Sequence, residues 1–396
     1  MQATGVGTRS IDTRSIGTRS IDGDLLADLA EQVFGHLHRA DQRRWARIHL
    51  IGLLSVSGRK SLREMARAVS GATDSTHGLQ QFINSSPWDW KPARDELAAI
   101  VEQRVPVRAW TAGILGIPKR GDRSVGVHRR FLPKLGRTVN CQVAAGIFLC
   151  SAEQSIPVDW TIFLDEGWDS TESRRRARIP SEVGPQPLCM NVLGLVDAML
   201  ARFPGAGVPL VADLRTATDI SRLAFELGYR GVEFVAEVAP TQLVQLTAEP
   251  RSAGSGPQRP GGATTAADLW DPDGRRHGTT VSSLVRLPGA ESSRTPERIH
   301  RLLVQRVPGG RSRYWVTSIL DRPITEVLVL ARHGDRVELA LRDLELDYGV
   351  ADFEGRSYPG WHHHMTMAST AYLYRNLLAP HALRAGRRFE VRGRSA

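Results

Sequence analysis

Apolar positions recur at helical spacing through the first quarter of the chain. Leu25, Leu26, Leu29, Val33 and Phe34 mark one stripe, and Trp45, Ile48, Leu50 and Leu53 mark a second. This periodicity predicts an all-helical segment over 24–105. Within it, residues 61–70 and 76–83, joined by a turn containing Gly71, fit a helix-turn-helix whose second helix would enter a major groove. The same spacing fits an ordinary helix pair. From about residue 106 the period changes. Val139–Leu149 is apolar and rich in β-branched residues, as a strand requires, and Pro209–Asp213 predicts a short buried strand ending in an acid. A helical segment follows at Asp219–Leu227, then a strand at Val232–Val238. Tyr314–Ile319 resumes strand character. Val327–Leu346 reads as a strand or helix start running into a helix, and Trp361–Leu378 as a closing helix. Strands interleaved with helices predict an α/β core over 106–380.

Two stretches stand apart. The unit Thr-Arg-Ser-Ile begins at Thr8, Thr13 and Thr18. It is too short to bury a face and predicts a disordered tail over 1–23. A basic arm is the sharper reading, weakened by Asp12 and Asp22 among the three arginines. Residues 249–298 are rich in Gly, Pro, Ser, Thr and Arg and read as a loop or insertion, within an interruption of the core at about 240–320. Residues 381–396 form a basic tail.

Composition narrows the partners. The chain has 396 residues and a formal net charge of +10. That surplus points to nucleic acid first and an anionic membrane surface second. Lys60, Lys91, Lys119 and Lys134 are its only lysines, so the excess is carried by arginine, which makes forked phosphate contacts. A GC-rich coding sequence produces the same bias. Cys141, Cys150 and Cys189 lack C-x-x-C spacing and read as buried thiols in a reducing compartment. No apolar run reaches about 18 residues, and the N-terminus has no apolar core. The expected location is the cytoplasm, on the nucleoid. His362, His363 and His364 point in different directions from a helix, so packing is favoured over a shared metal. The same bland reading favours core packing for Trp88 and Trp90 over base stacking.

Asp213, at the end of a buried strand, suits a catalytic metal site, although strand-end acids also serve as turn residues. Two-metal phosphoryl transfer needs several carboxylates, because Mg²⁺ prefers oxygen ligands. Spacing alone does not choose the partners of Asp213. Candidate phosphate contacts are Lys119, Arg120, Arg129, Arg130 and the cluster Arg174, Arg175, Arg176 and Arg178; a solvated basic face is the alternative.

Longer motifs decide more. They are Arg39–Trp45, Leu79–Trp90 (Leu-Gln-Gln-Phe-Ile-Asn-Ser-Ser-Pro-Trp-Asp-Trp), Ile117–Gly121, Ser124–Val127, Val139–Val143, Pro157–Trp160, the basic run before Ile179-Pro180, Phe353–Ser357 and Gly360–His364. With these, residues 24–380 resemble the DDE-type bacterial insertion-sequence transposases. The resemblance implies an RNase H-like catalytic domain with an inserted β-rich segment. It also implies Mg²⁺ as cofactor, double-stranded DNA at element ends as partner, no membrane, and a homodimer where two ends are paired. The family's first strand reads D-D-T-G-F-P-K-K-G; here the stretch is Gly113–Gly121 (Gly-Ile-Leu-Gly-Ile-Pro-Lys-Arg-Gly), so Gly113 and Ile114 replace both aspartates. The resemblance places the second carboxylate on Asp213 and the third on Glu338, which would be the catalytic and metal-binding residues. Leu214–Ala217 replaces the family's A-G-Y-G turn. The helper arginine falls on Gly334 and the helper lysine on Glu345. Losing a charged ligand and two phosphate contacts predicts impaired or absent cleavage. The expected function is a transposase-family DNA-binding protein, with a domesticated, non-enzymatic DNA-binding regulator as the alternative.

Overall fold

Helices form where the apolar stripes recur, and strands where β-branched residues run together. The computed structural model describes residues 21–70, 74–216, 220–247, 262–270, 280–288, 298–306 and 311–380. Five helices come first: α1 (Gly23–Phe34), α2 (Ala40–Ser55), α3 (Leu62–Ser70), α4 (Asp74–Asn84) and α5 (Lys91–Arg104). Asp22 caps α1 by accepting from the backbone of Asp24 and Leu25. The strands β1 (Ala109–Pro118), β2 (His128–Leu132), β3 (Arg137–Cys150) and β4 (Ser155–Ile162) follow. Next come α6 (Thr171–Ala177), α7 (Leu188–Arg202), β5 (Leu210–Asp213), α8 (Ile220–Tyr229), β6 (Phe234–Val238) and β7 (Leu243–Leu246). The remainder is β8 (Thr264–Thr265), α9 (Ala266–Trp270), β9 (Thr280–Arg286), β10 (His300–Gln305), β11 (Arg313–Thr317), α10 (Ile324–Asp347) and α11 (Tyr358–Leu373), which runs into a π-helical turn at Tyr374–Leu378.

The strands form a large mixed sheet in the order β2-β3-β1-β5-β6-β11-β10-β9-β7-β8, with β4 also paired to β3. β1, β5 and β6 are parallel neighbours, and β3 runs against β1. β3 is long enough to pair with β2 through its first part and β4 through its last. The segment after β6 joins the same sheet, because β11 pairs antiparallel with β6. Residues 327–346, open between strand and helix in the sequence, lie wholly within α10. The Thr-Arg-Ser-Ile units at 8–19, most of 249–298 and the tail at 381–396 lie outside the described residues.

The helical segment and the sheet share one core, with α11 at its centre. Every residue of α11 except Pro359 is buried. A helix buried all round must satisfy its polar groups internally. Arg94 on α5, 2% exposed, does much of this. Its Nε donates to Thr366 Oγ1 at 2.9 Å, and Nη1 donates to Asp159 Oδ1 and Trp160 O at 2.7 Å each. Nη2 donates to His362 Nδ1 at 3.0 Å and His362 O at 3.1 Å. All five guanidinium N–H groups are thereby placed. Burial alone would raise the Asp159 carboxyl, but Arg94 and Arg202 beside it hold it below the usual carboxylate range. His363 lies between the carbonyls of Ile83 and Trp88 at 2.9 and 2.8 Å, and its ring stacks on Trp88 at 3.9 Å. The three histidines therefore pack as the sequence suggested. Gly78 matters for the same core: a Cβ there would lie 2.0 Å from the Trp45 ring, so only glycine lets α4 seat on α2.

Two measurements test this core. Arg94→Ala leaves a buried carboxylate short of its partner and is expected to cost about 3–5 kcal/mol in urea unfolding. Second, burial draws His49 down to about 3 and His364 down to about 4. Both are neutral in the fold, while the unfolded chain takes up protons near 6.5. Their contribution to stability is complete above that value. It falls as pH drops from about 6.5 toward 4 and 3, because only the unfolded state gains the protons. His49→Leu should flatten the acid limb of a stability–pH curve; an unchanged slope would remove His49 from this account.

Candidate functional site

Strand register builds the site. Ala112 pairs with Ala212 across the parallel β1–β5 pair, so Gly113 and Asp213 are the next positions and face the same side. Asp213 pairs with Glu237 on β6, and Glu237 with Trp315 on β11. This row lies under α10, which brings Gly334, Asp335 and Glu338 over it. Gly113, Asp213 and Glu338, distant in sequence, line one cavity of about 530 Å³. Glu237 and Asp335 line it too, with Arg130 and Lys134 at the wall formed by the β2–β3 hairpin.

Three of these carboxylates, Asp213, Glu237 and Asp335, are already engaged. Arg215 holds Asp213 in a fork, Nε to Oδ1 at 2.9 Å and Nη2 to Oδ2 at 2.6 Å, and its backbone N–H also donates to Oδ1 at 3.0 Å. Arg313 holds two acids at once. It reaches Glu237 at 3.0 and 2.5 Å and Asp335 at 2.9 and 2.7 Å. Arg215 also approaches Glu237 at 3.8 Å. The guanidinium of Arg215 is pushed above its ordinary value, first by its hydrogen bonds to Asp213, with the charges of Glu237 and Glu338 adding to the effect. Hydrogen bonds to Glu237 do the same for Arg313. A hard divalent cation needs carboxylate oxygens with free lone pairs. Here both oxygens of Asp213, Glu237 and Asp335 accept from arginine. Among the described residues no three His, Cys, Asp or Glu side chains are placed to hold a metal ion. The donor set as arranged does not fit the Mg²⁺ that the resemblance implies.

Position 113 tells the same story. A Cβ on Gly113 would meet Val337 Cγ1 at 2.7 Å, Leu341 Cδ1 at 3.0 Å and Phe148 Cε2 at 3.2 Å. An apolar plug from α10 and β3 therefore leaves no room for a side chain at Gly113. Gly334, where the family's helper arginine falls, lines the cavity without a side chain. Glu345, where the helper lysine falls, is paired with Lys134 at 3.2 Å.

The basic residues singled out from sequence divide into two groups. Lys119 Nζ donates to the carbonyls of Ala351 and Phe353 at 3.3 and 3.0 Å, and burial draws it down to about 8. Arg174 Nη2 donates to the carbonyls of Pro180 and Val183 at 2.6 Å each. Arg178, in the left-handed region at φ 54°, caps α6 and bonds Asn84 O and, at 2.8 Å, Ser357 Oγ. These three act in the fold. Arg120, Arg129, Arg175 and Arg176 are exposed, although Arg175 pairs with Glu172 at 3.1 Å. Arg130 is half-buried at the cavity. The sequence reading missed Glu237, Asp335 and Arg313, and saw Arg215 only as part of an altered turn. Glu237 had a signal, being an acid inside the apolar run Val232–Val238; Arg313 had none.

Gly113→Asp is expected to lower stability by about 1–3 kcal/mol through overpacking, and Val337→Ala in the same chain should recover part of it. Thermal unfolding of the two variants checks this. Equal midpoints for wild type and Gly113→Asp would show that Val337 does not close the position.

A family model described as DDE superfamily endonuclease matches residues 32–285. Over 115 residues the chain is 28% identical to "Probable transposase for insertion sequence element IS701" of Microchaete diplosiphon, a stretch covering 28% of this chain and 30% of that relative. The piggyBac transposase in a synaptic complex with hairpin DNA aligns with 96% of this chain and 78% of its own, at TM-score 0.35 and 12% identity. With the family match spanning more than half its length, the chain belongs to the DDE superfamily endonucleases.

Proposed function

We propose that the protein is a transposase-family DNA-binding protein whose strand-cleaving chemistry is lost or strongly reduced. The observation that carries this reading is the occupation of the acids by guanidinium groups. Asp213, Glu237 and Asp335 are neutralised by Arg215 and Arg313 at 2.5–3.0 Å. The first carboxylate is absent at Gly113. The ligand shell that two-metal phosphoryl transfer requires is replaced by a closed ion-pair lattice. When bound, a divalent ion in this family supplies charge stabilisation to the transferring phosphoryl group. In this chain Asp213 and Glu338 would hold it, and Asp213 would first have to release Arg215.

The sheet supports an RNase H-like core. β4-β3-β1-β5-β6 is a continuous five-strand unit in which only β3 runs against the rest, with α10 crossing one face. The strands β7 and β9–β11 extend it at the β6 edge as an insertion. Binding to DNA is supported by the net charge of +10 and by the family, and double-stranded element ends are the proposed target.

The test is a paired assay on the full chain with duplex DNA flanking its own gene. Binding is expected, with affinity falling as salt rises. No strand nicking is expected with Mg²⁺ or Mn²⁺. Divalent-dependent nicking that disappears in Asp213→Asn or Glu338→Gln would overturn the catalytic half of the reading. Absence of binding at low salt would overturn the DNA-binding half.

A further inference from the structure

The β2–β3 hairpin has a side that the fold does not use. Pro118 at the end of β1 pairs with Cys141 of β3, so the part of β3 before Cys141 runs past β1 with β2 alone beside it. Alternation puts Arg129 and Phe131 on one side of this two-stranded ribbon, opposite Asn140 and Thr138. On the reverse side Leu132 packs against the backbone at Gly116, where a Cβ would come within 2.7 Å of Leu132 Cδ2. The reverse side is therefore tied down, and the outer side is open. Phe131 is 55% exposed and Leu135, in the turn, 45%. Among the described residues Arg129, Arg130 and Arg137 have no acidic partner. The ribbon also forms a wall of the cavity above Asp213, through Arg130, Phe131, Leu132, Pro133 and Lys134.

An exposed phenyl ring with the unpaired guanidinium of Arg129 on the same side matches the chemistry of a nucleic-acid strand: a π-face for a base and a charge for a flanking phosphate. The bases of an intact duplex are already stacked on one another, and a ring on a projecting ribbon reaches a base face only where a base is unpaired. We propose that the β2–β3 ribbon is a stacking platform for an unpaired base at a DNA end or gap. Phe131 takes the base, and Arg129, two residues away on the same side, takes an adjoining phosphate. This rests on the DNA-binding reading above and adds the structural class of DNA preferred. It does not require cleavage. The platform borders the cavity that Arg215 and Asp213 line.

The experiment measures affinity of the full-length protein by fluorescence anisotropy, at one fixed salt concentration. The probes are a blunt duplex, the same duplex with a short 3′ overhang, and the overhang strand alone. Wild type is expected to favour the overhang duplex over the blunt one. Phe131→Ala should weaken overhang and single-strand binding about tenfold, while the blunt duplex changes less than twofold. Phe131→Trp should retain the preference. Arg129→Gln should weaken all three probes and reduce the salt dependence. The exposed position of Phe131 makes these variants foldable, which thermal unfolding verifies. Equal affinities of wild type and Phe131→Ala for all probes would overturn the proposal, and would do so even if sedimentation showed that the variant changes self-association. Failure of wild type to bind any probe would instead bring down the DNA-binding reading itself.

Discussion

The guanidinium of Arg94 is the constraint around which the fold is organised. A helix buried on nearly every side, as α11 is, can exist only if its polar groups find partners inside the protein. Arg94 reaches α11 from α5 and the strand β4 at Asp159 and Trp160, while Arg202 comes to Asp159 from α7. Elements from the helical segment and from the sheet thus meet at one charge centre. This explains why the boundary near residue 105 is a change of secondary structure and not a separation of cores. The strand β4 that receives this charge is hydrogen-bonded to β3, which in turn pairs with β1. The same framework sets the position of Gly113.

At the other end of the sheet a second ion lattice has a different consequence. Arg215 and Arg313 pair with three acidic residues, Asp213, Glu237 and Asp335, that the strand row and α10 bring together. Concentrated carboxylates repel one another unless a cation lies among them. In a metal-dependent enzyme that cation arrives from solution and can be exchanged. Here it is covalently part of the chain, and the side chains of Val337, Leu341 and Phe148 close in on Gly113. Lys134, on the cavity wall, pairs with Glu345 at 3.2 Å.

Much of the architecture was legible in the residues. The helical stripes before residue 105, the strand ending at Asp213 and the α/β alternation follow from periods of 3.6 and 2 that hold whatever the tertiary context. The motif run from Arg39 to His364 indicated the family. The histidine triplet was also readable, because three adjacent helical residues cannot converge on one ion. Less legible were the basic candidates. Lys119, Arg174 and Arg178 look like phosphate ligands in a list of charges, yet each spends its donors on backbone carbonyls. Nothing local distinguishes such an arginine from a free one like Arg129.

By itself, then, the sequence determined the types of element and the family, because these depend on local period and residue identity. Only the tertiary structure decided that Glu237 and Asp335 join Asp213, that Arg215 and Arg313 neutralise them, and that β2 and β3 project as a ribbon beside the cavity. Ion pairs between residues 76 positions apart, as with Arg313 and Glu237, leave no periodic trace in a chain. They are created by strand register and by the seating of one helix, and the energy of a charge depends on what the fold places next to it.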